Sequence, residues 1–359
     1  MADVKVFARI IEKEAVQQIE TISALPAFDG AKIRIMPDAH AGAGCVIGFT
    51  ATLGGKVVPD LVGVDIGCGM LAVRVRDDTV SDWAEFDRRV KELVPSGFSV
   101  HEKETCDVSQ LGLLCFDELR NVDRLNRSMG TLGGGNHFIE VDSSADGFYL
   151  VIHTGSRNLG LQVAIIYQKK ADETCRDDVP DDLKYLEGGL AEAYLHDMRI
   201  CQRWAESNRE AIAGRLVHGG LSRAEFFHTV HNYIGDDGII RKGAVDASLS
   251  KKVLIPLNMR DGAVIGRGKG NADWNNSAPH GAGRVMSRGE ARKSLDLDEY
   301  VSQMRGVYTS TANLGTIDEA PMAYKPAQAI IDSLAPTVEV EERLVPVYNF
   351  KACGKRAGD

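Results

Sequence analysis

The amino-acid sequence predicts a mixed α/β (α+β) fold, in which central β-sheets are flanked by helices within a single large domain over residues 1–359. Short apolar runs typical of strands alternate irregularly with longer amphipathic stretches, which is the pattern of one mixed domain. No internal repeat, low-complexity tract or long linker divides the chain. A length of 359 residues, with 44% hydrophobic and 26% charged residues, is sufficient for a large core in a globular protein.

The first half of the chain carries five of the predicted strands. In order, the predicted elements are a helix over 11–25, strands over 32–36, 46–53, 61–65 and 70–75, helices over 82–93 and 115–129, a strand over 148–153, a helix over 161–175 and an acidic loop over 176–184. We expect Ser81 to cap the helix over 82–93, because a serine side chain accepts hydrogen bonds from the free N–H groups of a first turn and Glu85 lies near the capping-box position.

The second half begins with a helical block and returns to strands after Gly235. Its predicted elements are helices over 189–215 and 224–233, strands over 239–242, 253–255 and 263–266, helices over 290–305 and 323–334, and a final strand over 344–350.

Composition argues against membrane and disulfide-rich classes. No apolar run approaches the roughly 18 residues of a membrane span, and residues 1–5 lack the apolar core of a signal peptide. The seven cysteines are odd in number and form no CxxC pair, so neither a disulfide framework nor a zinc ribbon is indicated. We therefore expect a protein of the reducing cytoplasm without a membrane partner.

Positive charge is concentrated in one segment of an acidic chain. Between residues 241 and 293, eleven Lys or Arg oppose four Asp or Glu, a balance of +7 that leaves −16 for the remainder of a chain of net charge −9. Such a segment suits a localised polyanion site rather than general coating of nucleic acid. A chance cluster of solvated charges explains the count equally well.

A glycine-rich stretch over 61–70 carries one carboxylate, Asp65, and one thiol, Cys68. A strand that ends in a glycine turn would direct both side chains into one cavity, because glycine allows tight turns and the close approach of a ligand. A hard oxygen beside a soft sulfur is half of a transition-metal site. On this stretch alone an ordinary buried turn with a structural cysteine is favoured, so the other ligands have to come from elsewhere.

Four of the nine histidines lie beside glycine, asparagine or the ends of predicted elements, where sites are usually built: His137, His153, His231 and His280. With Asp65 and Cys68, three of these histidines could bind two divalent ions that share Cys68 as a bridge. Mixed N, O and S ligands favour Mn, Fe, Co, Ni or Zn over Mg or Ca. Histidines in polar or helical contexts are interpreted as structural: His101, His196, His218 and His228.

Two further features point to phosphate chemistry. Residues 258–270 place Gly, Arg and Lys at close spacing, without a Walker A motif, which predicts a flexible basic loop that could bind an anion. His280 has no other ligand-type residue at ligand spacing, and Arg284 follows four residues later. Histidine can act as a covalent nucleophile, and a nearby arginine would steady a phosphoryl group on it. The residues therefore predict a metal-assisted phosphoryl or nucleotidyl transferase.

Several motifs together resemble those of the RtcB family of RNA ligases, in the family's order from about Pro37 to Lys351. They are MPDAH at 36–40, DIGC at 65–68, GTLGGGNHFIE at 130–140, HTGSR at 153–157, HN at 231–232, GKGN at 268–271, HGAGRVMSR at 280–288 and AYK at 323–325. The resemblance implies the family's own α/β fold as a single RtcB-like domain, with the site between central sheets.

The resemblance also implies a reaction and its cofactors. GTP would guanylylate His280, the GMP would pass to an RNA 3′-phosphate, and an RNA 5′-hydroxyl would then attack and release GMP; a 2′,3′-cyclic phosphate would first be opened. Two Mn²⁺ ions per subunit are implied, one held by Asp65, Cys68 and His137, and one held by Cys68, His153 and His231.

Substrate-binding roles follow from the same resemblance. The implied RNA-binding residues are Arg157 and Arg284. Asn136 would contact phosphate, Tyr324 would stack on guanine, and Lys351 would bind its edge. The full implied nucleotide-binding set is Asn136, Glu140, Asn232, Pro256, Leu257, Asn258, Met259, Ala263, Gly281, Ala282, Gly283, Tyr324 and Lys351.

The chain departs from the family pattern in its nucleotide loop. Residues 256–259 read Pro-Leu-Asn-Met where the family has Pro-Gly-Ser-Met, and Ala263 stands where a serine is expected. The shorter chain resembles a subgroup that accompanies release-factor-like proteins and is tied to RNA repair. The alternatives are a metal-dependent cyclic phosphodiesterase and an RNA-end-binding protein without ligase activity; an intact His280 favours the ligase.

Overall fold

The computed structural model describes residues 1–75, 82–217 and 226–352. Its strands are β1 (Asp3–Val6), β2 (Lys32–His40), β3 (Ile47–Thr52), β4 (Lys56–Val57), β5 (Gly69–Val75), β6 (Phe138–Ser144), β7 (Gly147–Thr154), β8 (Leu186–Glu187), β9 (Phe226–Val230), β10 (Asn232–Ile234), β11 (Ile239–Lys242), β12 (Ala244–Asp246), β13 (Lys252–Asn258), β14 (Gly262–Gly268), β15 (Ser277–Pro279) and β16 (Val338–Lys351). Its α-helices are α1 (Lys13–Ser23), α2 (Trp83–Leu93), α3 (Val122–Asn126), α4 (Arg157–Thr174), α5 (Gly188–Leu216), α6 (Arg288–Ser294), α7 (Leu297–Gln303) and α8 (Ala327–Ser333).

A seven-stranded antiparallel sheet, in the order β13-β14-β16-β6-β7-β5-β9, forms the centre of the fold. Successive side chains of a strand point to opposite faces, and here both faces are covered. Leu71 and Ile152 pack on one face with residues of α2 and α5, whereas Met70 and Val151 pack on the other face against Leu254 of β13. The long strand β16 joins the two halves of the sheet by pairing with β14 and then with β6.

A five-stranded sheet, in the order β1-β2-β3-β11-β10, lies beside the first. Its strands β1 and β2 are parallel, and its other pairs are antiparallel. The pairing of β2 with β3 is interrupted between Ile35 and His40. This irregularity leaves Asp38 free of the ladder between those residues, and its side chain contacts the start of the 280–288 segment.

The 29-residue helix α5 packs against β5, β7 and α4. Arg209 of this helix is fully buried and donates hydrogen bonds to the carbonyl of Gly67, at 2.9 Å, and to that of Thr154, at 2.8 Å. Because an unpaired buried guanidinium is costly, these bonds tie the loop before β5 and the end of β7 to one helix. The segments that carry Cys68 and His153 are therefore held in fixed positions relative to each other.

Three predicted elements are wrong in the structure. Residues 61–65 do not form a strand: a short 3-10 turn ends at Leu61, and Gly63 has a φ of +87° that strands do not adopt. The helix over 115–129 is reduced to α3, because Asn121 is left-handed with a φ of 55° and the N–H groups of Leu114 and Cys115 donate to the Asp197 carboxylate.

The helix predicted over 224–233 is also wrong, since the described part forms β9 and β10. Residues 226–230 pair with β5 from Gly69 to Val73, and their aromatic and β-branched side chains suit a strand once an open sheet edge is available. Ser81 lies outside the described residues, and the side chain of Asp82 caps α2 instead, by accepting from the N–H groups of Ala84 and Glu85.

The predicted mixed α/β class, with central sheets flanked by helices, is confirmed. Within the described ranges, no helix has the length and apolarity to cross a bilayer. The assignment of residues 1–359 to one domain stays a prediction.

Candidate active site

The metal-binding candidates are brought together by a glycine turn ahead of β5. The N–H of Cys68 donates to the carbonyl of Asp65 at 3.1 Å, and the N–H of His231 donates to the carbonyl of Cys68 at 2.9 Å. Gly67 has a φ of +71°, and a Cβ there would lie 2.7 Å from the Cα of Gln202 on α5. Only glycine fits this turn, which is how the sequence directs the Cys68 thiol inward.

Two histidines reach the Cys68 thiol from neighbouring strands. His137 immediately precedes β6, and His153 lies opposite Phe138 on β7. Their Nδ1 atoms lie 2.9 Å from the Leu132 carbonyl and 3.2 Å from the Asn136 carbonyl, respectively. A carbonyl oxygen accepts, so these two contacts favour the proton on Nδ1 and leave Nε2 as the ligand atom. These Nε2 atoms lie 3.7 and 3.2 Å from the sulfur of Cys68.

These three residues are all buried, and their ligand atoms lie within 4.8 Å of one another, so Cys68, His137 and His153 could hold a metal ion. Asp65 adjoins this cluster, since its Oδ2 lies 3.0 Å from His137 Nε2. Burial raises the pKa of Asp65, but His137 and the nearby Arg157 guanidinium outweigh it and lower that pKa to about 2. The Asp65 carboxylate is thus ionised at neutral pH and could act as an anionic ligand at the edge of the cluster.

Burial favours the uncharged forms of the thiol and imidazole groups of this site. Burial, reinforced by Asp65, holds the pKa of the Cys68 thiol well above its ordinary value. Burial and neighbouring histidines hold the pKa values of His153 and His231 well below theirs. A bound cation would favour the thiolate and keep the imidazoles unprotonated. The donor set of thiol, imidazole and carboxylate therefore fits a transition-metal ion.

His231 lies between this cluster and His280. Its ring centroid is 5.2 Å from that of His153 and 4.9 Å from that of His280. Among the described residues, its buried Nδ1 has no hydrogen-bond partner. Such an orphaned polar atom, on a ring packed against that of His153, fits a ligand role. The division of these residues between two ions stays a prediction.

Asp38 orients His280. Its Oδ2 lies 2.7 Å from His280 Nδ1 and also accepts the N–H of His280, at 3.1 Å, and that of Gly281, at 3.3 Å. This carboxylate is fully buried. The contact places the proton on Nδ1, so Nε2 carries the lone pair that a nucleophile needs. Asp38 belongs to the motif over 36–40, but the sequence alone suggested no role for it.

A cavity of about 560 Å³ extends from His280. The predicted residues that line it are His153, His280, Asn136, Glu140, Pro256, Leu257, Asn258, Met259, Gly281, Ala282, Gly283, Arg284, Tyr324 and Lys351. Two predicted nucleotide-binding residues lie elsewhere. Ala263 is buried in the apolar core beside Leu254, and Asn232 bonds the Asp65 carbonyl and the N–H of Gly243.

Glu319, a residue that no sequence motif indicated, organises the far end of the cavity. Its carboxylate contacts Lys351 at 2.9 Å, Arg288 at 2.5 Å and the Tyr324 hydroxyl at 2.7 Å. Burial raises the pKa of Glu319, but Lys351, Arg288 and Arg284 together outweigh it and lower that pKa to about 2. The guanidinium of Arg284 also lies 5.3 Å from the centre of the Tyr324 ring.

Glu140 lies on β6 in a different environment. Asn349 Nδ2 donates to its Oε2 at 2.5 Å, and burial raises the pKa of Glu140 to about 7. Asp142, two residues along the same face of the strand, is fully buried, and burial and Glu140 hold its pKa well above the ordinary value. Two adjacent buried carboxyl groups do not both ionise readily.

Much of the basic segment 241–293 is neutralised in the fold. Arg241 is fully buried against Asp237, and Arg288 and Arg292 pair with Asp318. Further pairs are Lys251 with Asp246, Arg260 with Asp261 and Arg267 with Glu341. The charge count along the chain overestimated the exposed positive charge, because several of these carboxylates lie outside the segment.

A histidine with its proton held on Nδ1, beside a Cys–His cluster and at the edge of a polar cavity, is an arrangement that suits metal-assisted phosphoryl or nucleotidyl transfer. The chain belongs to the RtcB family, described as tRNA-splicing ligase RtcB, which matches residues 18–122 and 116–352.

Relatives of the chain are named as RNA- or tRNA-splicing ligases RtcB. RNA-splicing ligase RtcB of Escherichia coli strain K12 is 30% identical over 378 aligned residues, which cover 92% of each protein. The tRNA-splicing ligase RtcB of Nanoarchaeum equitans is 26% identical, with 91% of this chain and 89% of that protein aligned. That of Archaeoglobus fulgidus is also 26% identical, over 90% and 88% of the two chains.

Proposed function

We propose that this protein is a GTP- and Mn²⁺-dependent RNA ligase of the cytoplasm, which joins RNA 3′-phosphate or 2′,3′-cyclic phosphate ends to 5′-hydroxyl ends in RNA repair. The observation that carries the proposal is His280, held by Asp38 at 2.7 Å and facing both the His231 ring and a cavity of nucleotide size. The names of the relatives support RNA as the substrate.

In the first step, the lone pair of His280 Nε2 attacks the α-phosphorus of GTP, a P–N bond forms and the bond to pyrophosphate breaks. Asp38 holds the proton on Nδ1 and stabilises the positive charge that develops on the ring. In the second step, an oxygen of the RNA 3′-phosphate attacks the same phosphorus and releases His280. In the third, the 5′-hydroxyl attacks the activated 3′-phosphate, loses its proton and displaces GMP.

The far end of the cavity would hold guanosine. Tyr324 offers an aromatic face, and the Glu319 carboxylate fixes its hydroxyl. Lys351 Nζ lies 3.3 Å from the Asn136 carbonyl, so it would lie between the guanine base and the phosphates of the nucleotide. Glu140 offers an acceptor for N–H groups of guanine, and Arg284 offers positive charge for the nucleotide or RNA phosphate.

Asp65, Cys68 and His137 would hold one Mn²⁺, and Cys68, His153 and His231 the other. When bound, such ions offset negative charge on the phosphates. The thiol is the ligand that favours Mn-to-Zn-type ions over Mg²⁺. A release-factor-like partner and the metal used in the cell stay predictions.

The test is incubation with Mn²⁺, α-labelled GTP and an RNA cleaved to 3′-phosphate and 5′-hydroxyl ends, followed by gel analysis of protein and RNA. We expect label on the protein and joined RNA. His280→Ala should lose both, whereas the surface control His196→Ala, whose side chain is 49% exposed, should keep both. Opening of a cyclic phosphate without joining would identify a phosphodiesterase instead, and bound RNA left unchanged would identify an end-binding protein.

A further inference from the structure

A second cavity, of about 390 Å³, lies next to the metal site and shares no lining residue with the first. Asp65 and Arg157 line it, together with the loop around Phe98. A series of side-chain contacts separates the two cavities. Asp65 Oδ2 lies 3.0 Å from His137 Nε2, which lies 3.7 Å from the sulfur of Cys68, and this sulfur lies 3.2 Å from His153 Nε2. A ligand in the second cavity therefore reaches the metal ligands from a different direction than the nucleotide does.

Hydrogen bonds fix the backbone of the loop that carries Phe98. The N–H of Leu132 donates to the Pro95 carbonyl at 2.9 Å, and the N–H of Gly97 donates to the Gly133 carbonyl at 2.8 Å. Arg124 donates to the carbonyl of Phe98 itself. Although its backbone is pinned in this way, Phe98 is 60% exposed. A large apolar ring that a rigid loop presents to solvent beside a polar cavity is suited to stacking on a planar ligand.

Arg157 supplies positive charge where this cavity meets the metal site. Its Nη1 lies 3.1 Å from His137 Nδ1, and its guanidinium packs so closely on Gly133 that a Cβ there would be 1.5 Å from Nη2. The glycine is therefore required for the position of the arginine. A guanidinium fixed beside metal ligands can hold a phosphate that reaches them.

We infer that the second cavity binds the terminal nucleoside of the RNA strand that bears the 3′-phosphate, with its base stacked on Phe98 and its phosphate on Arg157. The inference rests on the proposed function, because that strand must bring its phosphate to the metal ligands while GMP occupies the first cavity. The volume lies within the roughly 300–1,000 Å³ of small-molecule sites. Every base has a π-face, so stacking predicts little preference among the four bases.

The test compares wild type, Phe98→Leu and Phe98→Trp, with Phe226→Leu as the matched control, since Phe226 is an exposed phenylalanine (43%) on the edge strand β9. Each protein is assayed for guanylylation with GTP alone and for ligation kcat/KM. The RNA is either intact, abasic at the terminal 3′-phosphate nucleotide, or abasic at the terminal 5′-hydroxyl nucleotide.

For Phe98→Leu we expect unchanged guanylylation and a roughly tenfold loss in kcat/KM, the factor expected for one lost base–aromatic stack. Phe98→Trp and Phe226→Leu should behave as wild type. The abasic 3′-phosphate end should slow wild type by a similar factor and should not slow Phe98→Leu further, because both changes remove the same stack.

Wild-type kinetics for Phe98→Leu on intact RNA would overturn the inference and leave the proposed function standing. Coupling of Phe98 to the abasic 5′-hydroxyl end would overturn the assignment to the 3′-phosphate strand. Failure of the wild-type protein to become labelled by GTP would instead contradict the proposed function.

Discussion

The proposed metal ligands (the metal side) and the surroundings of Glu319 (the proposed base side) bury polar groups in different electrostatic states. The metal side (Asp65, Cys68, His137, His153 and His231) gathers neutral thiol and imidazole groups around one carboxylate. On the base side, Glu319 is enclosed by the cations of Lys351, Arg284 and Arg288. The comparison teaches that protein cations already compensate the carboxylate on the base side, whereas on the metal side Arg157 offsets Asp65 and the neutral thiol and imidazole groups suit a bound ion.

The same contrast in electrostatic state is seen between two buried glutamates, Glu140 and Glu319. Glu140, bonded to the neutral amide of Asn349, has a pKa raised to about 7, whereas Glu319, bonded to Lys351 and Arg288, has a pKa lowered to about 2. Both are equally buried, at 2% exposure. Burial thus sets the free-energy cost of ionising each carboxyl group, and the neighbouring groups decide whether that cost is offset.

The largest expected effect is at Cys68. Cys68→Ala should abolish both tight transition-metal binding and guanylylation, because the sulfur contacts both histidine Nε2 atoms. Metal content after Mn²⁺ or Co²⁺ loading and dialysis measures the first, and transfer of label from GTP the second. Cys201→Ala, at a fully buried cysteine of α5, is the matched control and should keep its metal. Full metal occupancy in Cys68→Ala would remove the basis for the metal side.

A smaller loss is expected for Asp38→Asn. The amide can still accept one hydrogen bond but no longer stabilises positive charge on the His280 ring, so the guanylylation rate should fall by roughly 10²-fold. Metal content should not change, because the hydrogen bonds of the Asp38 side chain are with residues 280 and 281. An unaltered single-turnover rate of label transfer would show that Asp38 does not orient the nucleophile.

On the base side, Glu319→Gln leaves three cations without their shared carboxylate. We expect a loss of about 3–5 kcal/mol in the free energy of unfolding near pH 7, as for a broken buried pair. Because the folded pKa is lowered, this stabilisation is present above about pH 4.5 and is lost as pH falls towards 2. Urea unfolding across this range measures it. Glu341→Gln, which breaks the exposed pair with Arg267, is the control and should cost less than about 1 kcal/mol.

The smallest effect is expected for Glu140→Gln, and it has the opposite sign. Because the folded pKa of Glu140 is raised, wild-type stability should fall as pH rises from about 4.5 through about 7. The variant should therefore gain stability relative to wild type across that window and match it below. A constant difference between the two unfolding curves at every pH would contradict the assigned protonation of the Glu140–Asp142 pair.

The sequence alone determined which residues are candidate metal ligands. Asp65 and Cys68 share one turn, and His137 and His153 stand beside glycine-containing segments, but it was the resemblance joining these separate motifs that assigned them to one site. The same holds for His280 and its glycine-rich flank. The strand over 70–75 was predicted because a short apolar run bounded by turn residues is a local property of the sequence.

Only the tertiary structure decided how buried charges are compensated and which strand edges pair. Glu319 meets Lys351 and Arg288, and Asp38 meets His280, across distances along the chain that no spacing rule covers. Residues 226–230 became a strand because β5 offers them an open edge. The physical reason is that hydrogen-bonding partners and desolvation depend on groups brought together by folding, whereas the donor atoms, glycines and turn preferences of a motif belong to the sequence itself.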